Sequence, residues 1–334
     1  RYISVTGVQT CALPICADTM YWQCRRLDLL DLIKQRKILL ISGGRLHGDY
    51  PCLVYEHLLI QSLNYDENRD AIKQYTNLWW YERPYKFLFL NGRTRPHRKY
   101  LLERFRNNGL LEQSLWTNLD PRTTTGFRNA DWYRIEDEAI PQTLSQPDWA
   151  KTSFAARSLP SEYECKRYSS SPPPVSLDCN DDMFVKKNLF GQEWGEIYLE
   201  ARPYADTYFS LVTETTFDYT ESFRTEKISK ALAIGHPWIA VANAGFYKEI
   251  KELGFRTFDH LIDESFDSIT NPQDRCNRIA EIVEDLCGQD LKSFISAASE
   301  TCLYNQQHLR FLNQQIPQQF VDRFMTYIEE NFCK

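Results

Sequence analysis

What the chain lacks narrows its reading first. Ten cysteines are scattered over 334 residues without a C-x-x-C pair, so neither a zinc framework nor a dense disulfide scaffold is spelled out. Positive charge is not in excess: 39 Lys and Arg face 45 Asp and Glu, a net charge of −6, which leaves no global field to hold a nucleic-acid backbone or an anionic membrane. The apolar run closest to membrane length, Ala231 to Tyr247, is broken by Gly235, His236, Pro237 and Asn243, whereas a spanning helix needs about 20 mostly apolar residues. No internal repeat is visible. A D-x-D cluster behind a strand is missing too, because the nearest acidic run, Asp178 to Asp182, lies in a Pro- and Ser-rich stretch. These absences leave an expected cytoplasmic protein with free cysteines, no metal site, no nucleic-acid partner and no transmembrane segment.

What is present is globular: 43% hydrophobic, 14% aromatic and 25% charged residues suffice for a large core. The first residues are set aside. Val5 to Ile15 reads residue by residue as the in-frame translation of a sequencing adapter, so residues 1–16 are expected to be an artefact of that origin.

Beyond them the pattern alternates strands and helices. Lys37 to Ser42 and Lys86 to Asn91 are short apolar runs ended by glycine, the signature of buried strands. His97 to Asn108 carries Tyr100, Leu101 and Phe105 at helical spacing and stops at Gly109, and Leu110 to Thr117 supplies the next strand. Between 120 and 206 prolines and serines interrupt every periodicity, which predicts an insertion. Order resumes with a strand at Thr207 to Thr213, a helix at Thr225 to Ile234 stopped by Gly235, and a continuously apolar strand at Trp238 to Ala242. Asn271-Pro272 starts a helix bearing Ile279, Ile282, Val283 and Leu286; a helix from Leu291 to Cys302 follows, and another after Pro317. The expected fold is α/β with a Rossmann-like, mostly parallel sheet.

Two segments can carry chemistry. Thr225-Glu226-Lys227 opens a helix behind a strand ending in Glu214, where unpaired backbone N–H groups and the positive end of the helix dipole favour a phosphate. The same residues also make an ordinary helix start, Thr as N-cap and Glu in the first turn. Arg93, Arg95 and Arg98 cluster between a strand end and a helix start, the carboxyl edge of the sheet, where a guanidinium fork suits phosphate oxygens; a solvated basic turn fits equally well. His47 and Asp49, in the turn after the first strand, are candidate general bases, with a plain polar turn as the simpler account.

Tyr208-Phe209-Ser210-Leu211-Val212-Thr213-Glu214, then Asp218-Tyr219, Thr225-Glu226-Lys227 and His236-Pro237-Trp238-Ile239 resemble, in order and spacing, the donor-binding motif of α1,3-fucosyltransferase-type GT-B glycosyltransferases. The resemblance covers residues 206–246. It departs at Thr215, where the family has Asn, and at His236 to Ile239, where it has Val-Pro-Val-Val, so a fucosyl donor does not follow from it. The resemblance implies a GT-B-like enzyme with ribose binding by Glu226 and diphosphate binding by Lys227, joined in the donor site by Glu214, Thr225, Arg93, Arg95 and Arg98. Its substrates are then a nucleotide-diphosphate sugar, GDP-linked donors among them, and a glycan or other hydroxyl acceptor, with no cofactor and no metal. The implied organisation is an N-terminal α/β, acceptor-side part at 17–84, a donor-binding Rossmann-like domain at 85–300 with the insertion 120–206, and C-terminal helices at 301–334. A non-enzymatic α/β interaction or structural protein that retains the fold is the alternative expectation.

Overall fold

The computed structural model describes residues 28–37, 39–43, 52–63, 66–77, 83–91, 95–118, 199, 201–215, 217–218 and 223–332. Four parallel strands form the central sheet: β3 (Tyr85–Asn91), β4 (Leu115–Asn118), β5 (Thr207–Thr213) and β6 (Trp238–Val241), in the order β4-β3-β5-β6. The chain is thus α/β, as the alternating pattern predicts.

Strand parity places Phe87, Phe89 and Phe209 on one face, with Phe87 in register with Phe209 and their rings 5.5 Å apart. Helix α4 (Pro96–Asn107) covers that face through Phe105, 5.6 Å from Phe87, and α8 (Pro272–Cys287) packs on α4, with Arg104 gripping Glu284 through two bonds of 2.6 and 2.7 Å. Ser210 points to the other face. There it hydrogen-bonds His236 at 2.8 Å, and His236 lies edge-on to Tyr75 of α3 (Asp66–Asn77) and to Tyr204. The second ring nitrogen of His236 donates to Thr207 O at 2.8 Å; burial brings its pKa down to about 3, so it is a neutral structural linker. Helix α6 (Glu226–Ile234) follows β5 and leans on the turn Gln61–Leu63, where the Ser62 N–H and hydroxyl meet Ser229.

The N-terminal part contributes helix α1 (Leu30–Lys34), the short parallel pair β1 (Ile41–Ser42) and β2 (Leu53–Val54), and helix α2 (His57–Ile60). Of the expected strand over 37–42, the last two residues form β1, and residue 38 lies outside the described residues. Two further expectations need correcting. A short helix, α5 (Ala201–Ala205), precedes β5 inside the stretch read as irregular to 206; residues 120–198 and 200 of that stretch lie outside the described residues. The helices expected around Leu291–Cys302 and beyond Pro317 are one helix, α9 (Leu291–Phe332), which runs through Pro317. Tertiary contacts outweigh proline's local cost here: buried Leu309, Leu312 and Ile316 hold the preceding turns, and Phe320 packs 4.8 Å from Tyr55. No helix among the described residues is long and apolar enough to cross a membrane.

The predicted stop at Gly235 is real, and its reason is steric. Gly235 sits at φ 78°, ψ 39°, donates its N–H to Ala231 O and is closed from outside by Gln306, whose amide donates to Ala233 O at 2.9 Å. An added Cβ would stand 3.4 Å from Gln306 Nε2 in a left-handed backbone. Gly235→Ala is expected to cost about 1–2 kcal/mol, read as a lower urea midpoint with unchanged slope. An unchanged midpoint would contradict this account of the cap.

Candidate functional site

The strand order marks the edge of the sheet where a ligand is to be sought. From β3 the chain adds β4 on one side and later β5 on the other, so the order reverses between β3 and β5. In open parallel sheets a crevice opens there, outside the carboxyl ends of the strands.

Both candidate segments meet at that edge of the sheet. At the end of β3, the Asn91 amide oxygen accepts the Thr213 hydroxyl at 2.7 Å. Pro96 sets the first turn of α4, with Arg95 extended at its N-cap, and this turn docks on the end of β5. His97 Nε2 donates to Glu214 O at 3.0 Å, and Arg98 Nη2 donates to Thr213 O at 2.9 Å and to Glu214 O at 3.3 Å. Burial, seconded by the Arg98 charge, holds the His97 pKa well below its ordinary value, so the imidazole is neutral; it stacks on Phe217 at 4.9 Å.

The Glu214 side chain reaches the other way. Its carboxylate accepts the Thr225 N–H at 3.2 Å and the Thr225 hydroxyl at 2.6 Å, fully buried. Thr225 in turn caps α6, its Oγ1 accepting the Lys227 N–H at 3.2 Å. Lys227 Nζ bonds Glu226 Oε1 at 2.6 Å and lies within 3.4 Å of the Thr215 and Thr225 hydroxyls. Burial raises the Glu214 pKa more than Lys227 and the Thr225 bonds lower it. For Glu226 burial acts upward as well, but the Lys227 ammonium and its hydrogen bond outweigh it and the net shift is downward. Glu226 is 6% exposed, and its second oxygen, Oε2, is buried without a hydrogen-bond partner. A buried carboxylate oxygen left bare is costly, and a donor group of a ligand would satisfy it.

Two buried arginines hold the surrounding loops. Arg275, in the first turn of α8, donates to Ala242 O at 3.1 Å, Ile269 O at 2.6 Å, Thr270 O at 3.3 Å and Phe217 O, and its guanidinium lies 4.5 Å over the Phe217 ring. It thereby draws the loop behind β5 to the loop behind β6. Arg224, next to the α6 cap, forks onto both Glu56 oxygens and bonds Glu249 at 2.8 Å; burial acts against its charge, and the two carboxylates override it. The end of β1 comes to the same place, since a Cβ on Gly43 would stand 3.3 Å from the Phe223 ring and 3.4 Å from His57.

The second helix start on this rim is closed to an outside anion. The Asp267 carboxylate accepts the N–H groups of Tyr247 and Lys248 at 2.9 and 3.0 Å, capping α7 (Phe246–Glu252) itself. The open cleft beside it, about 470 Å³, is lined by Tyr247, Lys248, Lys251, Glu252, Glu264 and Asp267. Its lysines are paired within reach, Lys248 with Glu252 and Lys251 with Glu264 and Asp259.

Of the sequence candidates, the structure thus brings together Arg95, Arg98, Glu214, Thr225, Glu226 and Lys227. Arg98 is 2% exposed and donates to the carbonyls at the end of β5, a positioning arrangement rather than an open phosphate clamp. Arg93, His47 and Asp49 lie outside the described residues. Sequence reasoning missed His97, Arg224 and Arg275. Only Arg275 left a signal: it sits four residues before Ile279, on the core stripe of its own helix. Among the described residues no group of three His, Cys, Asp or Glu side chains is placed to hold a metal ion. Comparisons with protein-family models, with curated proteins and with solved structures found no match to this chain.

The buried Glu214 carries a pH signature. Because its folded pKa is raised, the native state holds the proton more tightly than the unfolded chain, and this residue's contribution to stability falls as pH rises through and above the ordinary value of 4.5. Glu214→Gln removes that term while keeping an acceptor for Thr225. Urea titrations from pH 4 to pH 8 are expected to show the variant gaining on the wild type as pH rises; a constant difference would contradict the assignment.

Proposed function

We propose that this protein is a glycosyltransferase that binds a nucleotide-diphosphate sugar in the crevice between β3 and β5 and passes the sugar to a hydroxyl acceptor. The observation that carries the reading is the convergence of the Arg95 to Arg98 turn and the Thr225-Glu226-Lys227 helix start on one residue, Glu214, at the reversal of strand order. The order Glu214, Thr225, Glu226, Lys227 is also the order of the family motif that the sequence resembles.

In this reading each group has a task. The bare Glu226 oxygen accepts from the ribose hydroxyls. Lys227, now sharing its charge with Glu226, turns to the diphosphate when a donor binds, and Arg95 at the α4 N-cap adds a second cation. As the bond from the sugar to the diphosphate breaks, charge develops on the leaving oxygens, and fixed cations stabilise that charge where it appears. Arg98 and His97 hold the strand end still. The N-terminal part, which meets the site through Arg224 with Glu56 and through Gly43 on Phe223, supplies the acceptor side, completing a GT-B-like arrangement. A cytosolic setting accords with Cys276, Cys287 and Cys302, all buried free thiols.

Calorimetry with a panel of nucleoside diphosphates and their sugars tests the reading. Saturable binding by at least one is expected, and Lys227→Ala is expected to weaken it by about 1.5–3 kcal/mol, the scale of a charge-assisted hydrogen bond, with an unchanged fold. Silence of the folded protein towards the whole panel would overturn the enzyme reading in favour of a non-enzymatic interaction protein, and equal affinity of the variant would remove Lys227 from the site.

A further inference from the structure

We infer that His57 is the general base of the proposed transfer, the group that takes the proton from the acceptor hydroxyl. The inference rests on the functional reading above and adds to it the residue that the acceptor meets. Two contacts bring His57 to the start of α6. Its neighbour Glu56 receives the Arg224 fork, with Arg224 Nε donating to Glu56 Oε2 at 3.1 Å. Gly43, behind β1, lies between the rings of Phe223 and His57: a Cβ there would stand 3.3 Å from Phe223 Cε2 and 3.4 Å from His57 Cε1. Phe223 and Arg224 immediately precede Thr225, so the Cα atoms of Phe223 and of that cap are at most about 7 Å apart.

The backbone fixes which ring nitrogen is free. Tyr55 O accepts the His57 main-chain N–H at 2.7 Å and stands 3.1 Å from His57 Nδ1. A carbonyl oxygen only accepts, so in the neutral ring the proton sits on Nδ1 and Nε2 keeps its lone pair. The ring also stacks on Tyr55 at 5.6 Å, and Tyr55 packs 4.8 Å from Phe320 of α9. The imidazole is thus braced on one side, while the residue is exposed.

The carboxylates around the α6 start are already engaged. Glu56 and Glu249 hold Arg224, Glu214 holds the Thr225 cap, and Glu226 holds Lys227. A carboxylate locked to a cation is a poor proton acceptor. Among the other described histidines, His97 and His236 are buried, His308 turns Nε2 to Leu253 O at 2.7 Å, and His260 lies beside Asp259. His57 is the described histidine that joins an open Nε2 to a place beside α6.

The step is a single displacement. The acceptor O–H gives its proton to Nε2 while an electron pair of that oxygen forms the bond to the sugar carbon. The bond from this carbon to the diphosphate oxygen breaks, and its pair leaves with the diphosphate. The proton on His57 then passes to solvent.

Wild type and His57→Ala are expected to bind the nucleotide sugar that the calorimetric panel finds with equal affinity. Release of nucleoside diphosphate, with water as acceptor, is expected to fall by about a hundredfold or more in the variant. Added imidazole is expected to restore part of that rate, which a merely structural loss would not allow. Without turnover, carbethoxylation by diethyl pyrocarbonate, mapped by mass spectrometry, is expected to mark His57 and to slow several-fold there once the nucleotide sugar is bound, with His260 as the unaffected control. Silence of the wild type towards the whole panel would overturn the functional reading and this role with it. Binding without release in the wild type, an undiminished rate in His57→Ala, a loss that imidazole does not relieve, or labelling of His57 indifferent to the bound sugar would overturn the role of His57 alone.

Discussion

Glu214 joins the starts of α4 and α6 at the carboxyl edge of the sheet because its main chain and its side chain serve different neighbours. Its carbonyl receives His97 and Arg98 from the start of α4, its N–H donates to Val241 O of β6, and its carboxylate receives Thr225 at the start of α6. Placing a carboxylate at zero exposure is costly unless donors meet it. Here the donors are a helix cap and its hydroxyl, so burying Glu214 and fixing the beginning of α6 are one event. Glu226 and Lys227, one and two residues past that cap, inherit their positions from it.

The outer loops are then held by buried arginines, one facing backbone carbonyls and the other carboxylates. Arg275 spans the loops behind β5 and β6, and Arg224 ties the α6 start to Glu56 and Glu249. Replacing either with an apolar residue would leave several carbonyl or carboxylate oxygens unmatched, a larger loss than the bonds themselves. This gives the rim a rigid frame around the pair that carries the proposed binding, Glu226 and Lys227.

Much of the fold was legible in the sequence because its strands are short apolar runs punctuated by glycine and its helices carry clear stripes. Tyr85–Asn91, Thr207–Thr213 and Trp238–Val241 fall where periodicity put them, and Gly109 and Gly235 end their helices in left-handed backbone. Pro317 misled because its local cost is opposed by packing on both sides of it, which no local rule sees. The site was legible where chemistry is local, in the cap of Thr225 and the charges of Glu226 and Lys227. It was not legible where it depends on distant pairing. Arg98 looked like a phosphate ligand, yet its guanidinium meets carbonyls 115 and 116 residues away, and the salt bridge of Arg224 to Glu56 spans 168.

The central claim is that a nucleoside diphosphate occupies the crevice between β3 and β5. Hydrogen–deuterium exchange with and without a nucleoside diphosphate tests it most directly, because it reports where the ligand sits as well as whether it binds. The account predicts slower exchange in two separated peptides, one over Arg95 to Arg98 and one over Glu214 to Lys230. Protection confined to other elements, such as α7 or the outer face of α9, or no protection at saturating nucleotide, would contradict it.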